Sequence, residues 1–253
     1  MWVFPFGTIG ESMSLKMKSP PQVARPVTAN LLLAALSPDD LALISLQLEQ
    51  VPLTLREVLY EPGAEIQYVY FPTTGCVSMI NGTNDGSVEV GTIGLEGLVG
   101  VPVLLRASSE PTRALVQVEG EAYRINSAAF RVVVRESEHL ERIFLRYALA
   151  LLNQVAQSVA CNRLHSLEER CARWLLITHD RVDGDVFKLT QEFLSYMLGV
   201  HRPAVTLAAG VLQNAGYIKY SRGTITITDR IGLEGAACSC YQATRDDYAA
   251  LAS

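Results

Sequence analysis

Short apolar runs separated by turn residues dominate the chain after Val51. The runs are VPLTL, EVLY, IQYVYF, CVSMI, VEVGTI, ALVQVE and EAYRI. Turn residues stand between them at Pro62-Gly63, at Pro72 to Gly75 and in the stretch NGTNDG. Brief β-branched and aromatic runs with turns between them are typical of an antiparallel roll or barrel. The pattern therefore predicts an N-terminal β-roll, preceded by a short helical segment over 28–50 with Ser37 as an N-cap.

A long helix is predicted next, because residues 138–164 contain neither Gly nor Pro. Its apolar residues step by three and four positions, at Leu140, Phe144, Tyr147, Leu151, Val155 and Val159. Such a helix would be about 39 Å long, more than one small domain needs to cover its core. The stripe predicts pairing with a second copy of the chain, as in a coiled coil. A helix packed wholly on its own β-roll is the alternative.

Residues 189–218, LTQEFLSYMLGVHRPAVTLAAGVLQNAGYI, have the pattern of a helix-turn-helix. Ser195, Gly199 and Val205 match the small residue, the turn glycine and the buried aliphatic residue of that motif. Arg202 and Pro203 open the second helix, where Pro is tolerated. The inner faces of the two helices are formed by Leu194, Met197, Leu198, Val205, Ala208, Ala209 and Leu212. The alternating residues around Ser221-Arg222-Gly223 then predict a hairpin, hence a wing.

Charge and cysteine content limit the function classes. The net charge is −5, yet residues 1–162 carry 11 Lys and Arg against 16 Asp and Glu, whereas residues 163–253 carry 10 of each. Nucleic-acid binding would therefore need a local basic face on a neutral C-terminal part, doubled by dimerisation. Five cysteines, an odd number, favour a reduced protein. With no signal-peptide pattern and no apolar run of roughly 18 residues, we expect a soluble, cytoplasmic protein without a membrane partner.

This order of β-roll, long helix and winged helix-turn-helix resembles the catabolite activator and fumarate–nitrate regulator (Crp/Fnr) family over residues 28–234. The resemblance implies an α+β fold with a cyclic-nucleotide-binding-like jelly roll. It also implies a homodimeric, sequence-specific transcription regulator whose partners are double-stranded DNA and RNA polymerase. The expected segments are a disordered tail (1–27), a β-roll sensor domain (28–137), a dimerisation helix (138–164) and a winged helix-turn-helix domain (165–253).

In that family the second helix of the motif lies in the DNA major groove. The resemblance places His201, Arg202, Val205 and Thr206 at base edges, and Thr190, Gln191 and Arg222 at phosphates. An Arg suits base reading because its planar fork can bond O6 and N7 of guanine together. The acidic residue that often follows this Arg in the family is Pro203 here. The target sequence therefore cannot be carried over from better-known members.

The stretch GLEGLVGVPVLLRASSEPTRALV resembles the phosphate cradle of members that bind cyclic nucleotides. Gly97, Gly100 and Arg113 fit that cradle, since free N–H groups beside a guanidinium can bind an anion, and the resemblance places Ala114 at the effector beside Arg113. However, Val101 replaces the expected ribose-binding Glu, and Ala114 replaces the small hydroxyl residue after the Arg. We therefore expect that cyclic AMP is not the effector. Three alternatives stay open for this site. Arg113 binds no ligand, the effector is another small molecule, or Glu96 is a substitute partner for a ribose.

No metal or cofactor is expected. An iron–sulfur cluster is not expected, because regulators that hold one have cysteines near the N-terminus and this chain has no Cys before Cys76. Haem sensing stays an alternative, although none of the four histidines falls in the predicted β-roll. Cys238 and Cys240 form a close pair, but no second pair completes a zinc site, so a metal or redox role is an alternative only.

The competing function classes are an enzyme and a ligand-binding module. A cupin-like enzyme needs clustered His and Glu ligands on strands, and the predicted β-roll contains no histidine. The GxSxG, HExxH and GxxxxGK[ST] signatures are also absent from the sequence. We expect a protein that is not an enzyme. A β-roll module that controls a protein partner, with a non-functional helix-turn-helix, is the other alternative.

Overall fold

The computed structural model describes residues 25–83 and 86–251, so the predicted tail lies outside the described residues except for its last three positions. The N-terminal part begins with two short helices and continues into a sheet with two further helices. Its elements are α1 (Leu31–Ala34), α2 (Pro38–Ser45), β1 (Glu49–Leu53), β2 (Val58–Tyr60), β3 (Tyr68–Thr83), β4 (Gly86–Ile93), α3 (Val101–Leu104), β5 (Thr112–Asn126) and α4 (Ser127–Glu136). Ser37 caps α2 by accepting a hydrogen bond from the Asp40 N–H, as predicted.

The five strands form one antiparallel sheet in the order β1-β5-β3-β4, with β2 also paired to β5. The predicted roll is therefore confirmed. Three fully buried rings, Phe71 of β3, Phe130 of α4 and Phe144 of the long helix, meet in its core. The Phe130 and Phe144 centroids are 5.6 Å apart and the Phe71 and Phe144 centroids 5.9 Å apart. Both helices are thus anchored on the roll by aromatic packing.

Two pairs of apolar runs that were predicted as separate strands each form one longer, bent strand. β3 joins the runs IQYVYF and CVSMI, and β5 joins ALVQVE and EAYRI. The register between them shifts between Pro72 and Thr74 and again before Cys76, so bulges bend the pair. At Gly120 a Cβ atom would lie 2.3 Å from the Thr74 carbonyl oxygen, so only glycine permits this approach. The Pro and Gly residues here mark a corner of the roll rather than the ends of strands.

The long helix, α5 (Glu138–Leu164), spans the predicted residues. The assignment of its apolar stripe to a dimer contact was wrong for most of the stripe, although its last residue, Val159, is 68% exposed. Leu140, Phe144 and Tyr147 are fully buried against the roll of the same chain, and Leu151 packs on that core. The face toward the roll is therefore the intramolecular one, because it covers the open side of the sheet.

A second apolar stripe runs along the opposite side of α5. It consists of Leu145, Leu149, Leu152, Ala156 and Val159, here called the outer seam. The four larger side chains are 43%, 59%, 63% and 68% exposed, in chain order. Their spacing of four, three, four and three residues is the heptad repeat of a coiled coil.

The C-terminal part packs five helices around a small sheet. Its elements are α6 (Leu167–His179), β6 (Val186–Lys188), α7 (Gln191–Leu198), α8 (Arg202–Asn214), β7 (Ile218–Ser221), β8 (Thr224–Ile227), α9 (Arg230–Ala236) and α10 (Cys240–Ala249). The sheet is antiparallel in the order β6-β8-β7, and α7, α8 and the β7–β8 hairpin form the predicted winged helix-turn-helix. Within the described residues, no helix combines the length and apolarity needed to cross a bilayer.

The two parts contact each other through a polar cluster on β4. The Trp174 indole N–H of α6 donates to one Glu89 carboxylate oxygen at 3.0 Å, and the Ser78 hydroxyl donates to the other at 2.7 Å. Burial raises the pKa of Glu89 to about 7, against the lowering effect of these two hydrogen bonds. The packing of α6 and α7 against this side of the roll sets the position of the helix-turn-helix relative to the roll.

Candidate nucleic-acid interface and sensor site

A tight turn orients the two helices of the motif. Thr190 begins the first helix, α7, by accepting a hydrogen bond from the Phe193 N–H at 3.2 Å. Gly199 ends it with φ of 63°, a left-handed conformation that favours glycine. The second helix then begins at Arg202 with Pro203 in its first turn. The turn therefore places the start of α8 at the molecular surface.

Helix α8 has one buried and one exposed side. Val205, Ala208, Ala209 and Leu212 are at most 3% exposed and pack into the core of the C-terminal part. Val205 is therefore the buried aliphatic residue that the motif predicted, and the second expectation, that it faces a base edge, is wrong. His201, Arg202 and Thr206 are exposed, as base-reading residues must be.

Five of the predicted DNA-binding residues border one concave surface between α8 and the hairpin, which encloses a volume of about 560 Å³. They are Thr190, Gln191, Arg202, Thr206 and Arg222. The Thr206 hydroxyl donates to the Gln191 side-chain oxygen at 2.9 Å, which joins the two helices across this surface. Among the described residues, no ion pair involves Arg202 or Arg222. Both guanidinium groups are thus available to an anionic partner.

The hairpin carries Arg222 at its tip. Ser221 pairs with Thr224, so Arg222 and Gly223 are the two loop residues. Their φ angles of 49° and 77° are both positive, as a type I′ turn requires. A short turn of this kind projects the arginine beyond the sheet, where a phosphate backbone can reach it.

Leu207 is an exposed residue of α8 that was not among the predicted DNA-binding residues. Leu207 is 72% exposed on the side of the helix that faces away from the core, next to Thr206. Apolar side chains in this position can contact the methyl group of thymine. The helical spacing of the buried residues was a sufficient signal, because it also defines which residues point outward.

The predicted phosphate cradle is not formed as expected. A Cβ atom on Gly97 would lie 2.1 Å from the Tyr147 ring, so α5 covers this glycine. The Gly97 N–H already donates to the Gly94 carbonyl at 3.2 Å. Gly100 has φ of 107° and serves as the turn into α3. The two glycines therefore serve packing and turn geometry.

The other two cradle residues are also engaged or hidden. The Arg113 guanidinium forms an exposed ion pair with Glu61 at 2.7 Å. Ala114 is fully buried in the core of the roll, so the expectation that it contacts an effector is wrong. An anion could use Arg113 only by displacing Glu61.

Glu96, the proposed substitute for the ribose-binding residue, is bound by another side chain. Arg181, from the loop after α6, donates to its two carboxylate oxygens at 2.5 and 3.1 Å. A Cβ atom on Gly94 would lie 2.4 Å from the Arg181 side chain, so this glycine makes room for the arginine. Glu96 therefore links the roll to the C-terminal part, and both of its carboxylate oxygens already accept hydrogen bonds from Arg181.

The cysteines are arranged differently from the expectation. Cys238 and Cys240 lie beside Cys161 and His165 at the end of α5, and the four ligand atoms are all within 4.8 Å of one another. The expectation that nothing completes a metal-binding set with the CSCY pair was therefore wrong. The fold supplies the missing pair from a distant segment.

Comparison with known proteins agrees with this geometry. The model of the cyclic nucleotide-binding domain matches residues 50–137, and that of the Crp-like helix-turn-helix domain matches residues 169–236. No curated protein sequence matches the chain at a significant level.

Solved structures share the fold. FixK2 from Bradyrhizobium japonicum is 17% identical with a TM-score of 0.64, and the match covers 76% of this chain and 98% of that one. A putative Crp/Fnr-family transcriptional regulator from Eubacterium rectale is 18% identical with a TM-score of 0.64, covering 83% and 98%. The c-di-GMP-responsive global regulator CLP from Xanthomonas campestris is 15% identical with a TM-score of 0.54, covering 76% and 99%.

Proposed function

Since this chain is a DNA-binding transcription regulator of the Crp/Fnr type, we propose that it acts as a homodimer on a two-fold symmetric DNA site. The concave surface between α8 and the hairpin carries this proposal, because it collects five DNA-binding candidates, two of which are arginines that form no ion pair with any described residue. A symmetric dimer would present this surface twice, with the recognition helices about 34 Å apart along one face of the duplex.

The outer seam of α5 supports the dimer. Leucine side chains this exposed, repeated at heptad spacing, are stabilised when a second helix covers them. Burial of each leucine contributes roughly 1.5–3 kcal/mol. Because α5 continues directly into the C-terminal part, pairing there would also fix the separation of the two DNA-binding surfaces.

DNA reading is divided between the two arginines in this proposal. Arg202, at the start of α8, addresses base edges together with His201 and Thr206. Arg222, at the hairpin tip, contacts a phosphate, as do Thr190 and Gln191 at the start of α7. Phosphate contacts position a protein on DNA, whereas base contacts provide specificity.

Cyclic AMP has no role in this proposal. The covered Gly97, the buried Ala114 and the occupied Arg113 all argue against a ready anion cradle. Any effector of the roll is then a different molecule. We place the regulator in the cytoplasm, where DNA and RNA polymerase are both present.

Selection of genomic DNA fragments by the purified chain tests the proposal, with binding measured by mobility shift at several salt concentrations. We expect enrichment of a sequence with two-fold symmetry and a footprint on two successive major grooves. Arg202→Ala, which removes an arginine of the concave surface, is compared with its matched control Arg131→Ala, which removes an arginine on α4 away from that surface. Binding equally weak to every fragment, or lost equally in the control, would contradict the proposal.

A further inference from the structure

Four potential metal ligands meet where α5 ends and the C-terminal part begins. Cys161 and His165 are one helical turn apart, with His165 as the C-cap of α5. Cys238 and Cys240 flank the start of α10, with one residue between them. The three sulfur atoms are buried in side chains at most 5% exposed, and His165 is half-buried.

The distances between these atoms suit a single small ion. The Cys161 and Cys238 sulfurs are 3.5 Å apart, and the Cys240 sulfur is 3.4 Å from His165 Nδ1. In a tetrahedral zinc site with bonds of about 2.3 Å to sulfur and about 2.0 Å to nitrogen, neighbouring ligand atoms are about 3.5–3.8 Å apart. Two of the six distances between ligand atoms thus already match such a site, and all six are within 4.8 Å.

The surroundings of the cluster favour a negatively charged centre. Three thiolates around Zn²⁺ leave a net charge of −1. Arg173 is an electrostatic neighbour of both Cys161 and Cys238. Its Nη1 is buried without a hydrogen-bond partner among the described residues, as is the Nε of Arg170. Two half-buried arginines, each with one buried nitrogen that lacks a hydrogen-bond partner among the described residues, lie beside buried thiols, and this indicates that a compensating negative charge belongs there.

A neighbouring amide is arranged to orient one ligand. The Gln157 side-chain N–H donates to the Cys240 sulfur at 2.9 Å from the preceding turn of α5. Donors of this kind hold metal-bound thiolates in place and tune their affinity. We propose that Cys161, His165, Cys238 and Cys240 bind one zinc ion, which fastens the DNA-binding part to the end of the dimerisation helix.

The position of the site gives the ion a mechanical role. Helix α5 passes into α6 through His165 and Ser166, so this short connection is where the two parts could turn relative to each other. Zinc would bridge it from α5 to the α9–α10 segment. Binding would release three protons from the thiols to solvent, and it would stabilise the arrangement in which the concave surfaces are held at one separation.

The test uses the full chain, purified with a reducing agent and without chelator. We expect one zinc ion per chain, and loss of zinc in Cys238→Ser. The matched control is Cys171→Ser, which removes another fully buried thiol on α6 outside the cluster and should keep its zinc. Equal zinc content in the wild-type and Cys238→Ser chains, or a Cys161–Cys238 disulfide that forms in place of zinc, would overturn the proposal.

Cobalt substitution and a ligand exchange test the geometry even if Cys238→Ser does not fold. Co²⁺ should give the visible absorption of tetrahedral coordination and a sulfur-to-cobalt charge-transfer band, and zinc should abolish both. His165→Cys should still bind, with a stronger charge-transfer band from the fourth thiolate. An unchanged spectrum would overturn the assignment of His165, and a brown chromophore containing iron and sulfide would overturn the single-ion site.

Gln157 offers a quantitative measurement. Gln157→Met removes the N–H donor to Cys240 while keeping the length of the side chain. Loss of such a contact is expected to lower zinc affinity about 10–100-fold, measured by competition with a chelator. Unchanged affinity would show that the hydrogen bond does not support a metal-bound thiolate and would count against the site.

Discussion

Arg181 lies fully within the β-roll, although it comes from the loop after α6, and its guanidinium bonds both carboxylate oxygens of Glu96. The two side chains are 5% and 11% exposed. Arg181 also donates to the Thr92 carbonyl at 3.2 Å and approaches the Cys76 sulfur at 3.4 Å. This buried ion pair is a direct link between the β-roll and the C-terminal part.

Removal of one member of this pair should lower the free energy of unfolding. Arg181→Ala would leave the Glu96 carboxylate buried without its cation, which typically costs about 3–5 kcal/mol. Arg113→Ala is the matched control, because its ion pair with Glu61 is exposed on the surface and is worth about 0–1 kcal/mol. Urea unfolding of both variants measures the difference. A similar loss in the two would show that the buried pair does not stabilise the junction.

The raised pKa of Glu89 predicts a pH dependence of stability. Its pKa is about 7 in the folded chain and about 4.5 in the ordinary carboxyl group, so the folded state holds the proton between these values. Stability should be greatest below pH 4.5 for this group and should fall by roughly 1–3 kcal/mol as the pH rises through 7. Glu89→Gln should remove that decrease while keeping contacts to Ser78 and Trp174. Parallel pH profiles of unfolding in the two chains would contradict the assignment.

The outer seam predicts which substitution separates a dimer. Leu149→Asp and Leu152→Asp would each place a charge where two helices are proposed to meet. Sedimentation should then show monomers at micromolar concentration. Leu46→Asp is the control, since this leucine is 83% exposed directly after α2 and lies off the seam. Dimers that survive both seam substitutions would place the interface elsewhere.

Substitution of the two arginines of the concave surface should change different properties, DNA specificity for Arg202 and overall DNA affinity for Arg222. Arg202→Ala should lose about 1–3 kcal/mol of preference for the operator over a point-mutated site, because a bidentate contact to guanine disappears. Arg222→Ala should weaken all DNA about equally and reduce the slope of log affinity against log salt by roughly one per contact. Titrations on operator, mutated operator and random DNA distinguish these effects. Reversed behaviour would exchange the two roles.

Calorimetry with cyclic AMP should show little or no heat for the wild-type chain. The reason is that Tyr147 covers Gly97 and Glu61 occupies Arg113. Glu61→Ala frees the guanidinium without changing the roll, so it tests whether the ion pair alone blocks an anion. Tight binding by the wild type that Arg113→Ala abolishes would contradict this prediction.

The sequence by itself determined the elements whose pattern is local. Short apolar runs separated by turn residues predicted the roll, the absence of Gly and Pro predicted α5 at its observed ends, and Gly199 predicted the turn of the helix-turn-helix. These features depend on backbone preferences and on periodicity, which are readable from neighbouring residues. The placement of Arg202 and Arg222 followed from the same local pattern.

The tertiary structure decided which face of each element meets which partner. Both stripes of α5 are apolar, and only the packing of Phe144 and Tyr147 on the roll showed that the outer seam is the free one. Val205 and Ala114 were assigned to ligand contacts by their place in a motif, yet the core buries both. Cys161 and Cys238 are 77 residues apart, and no local pattern encodes their meeting, because contacts of that separation depend on how the whole chain closes around its two cores.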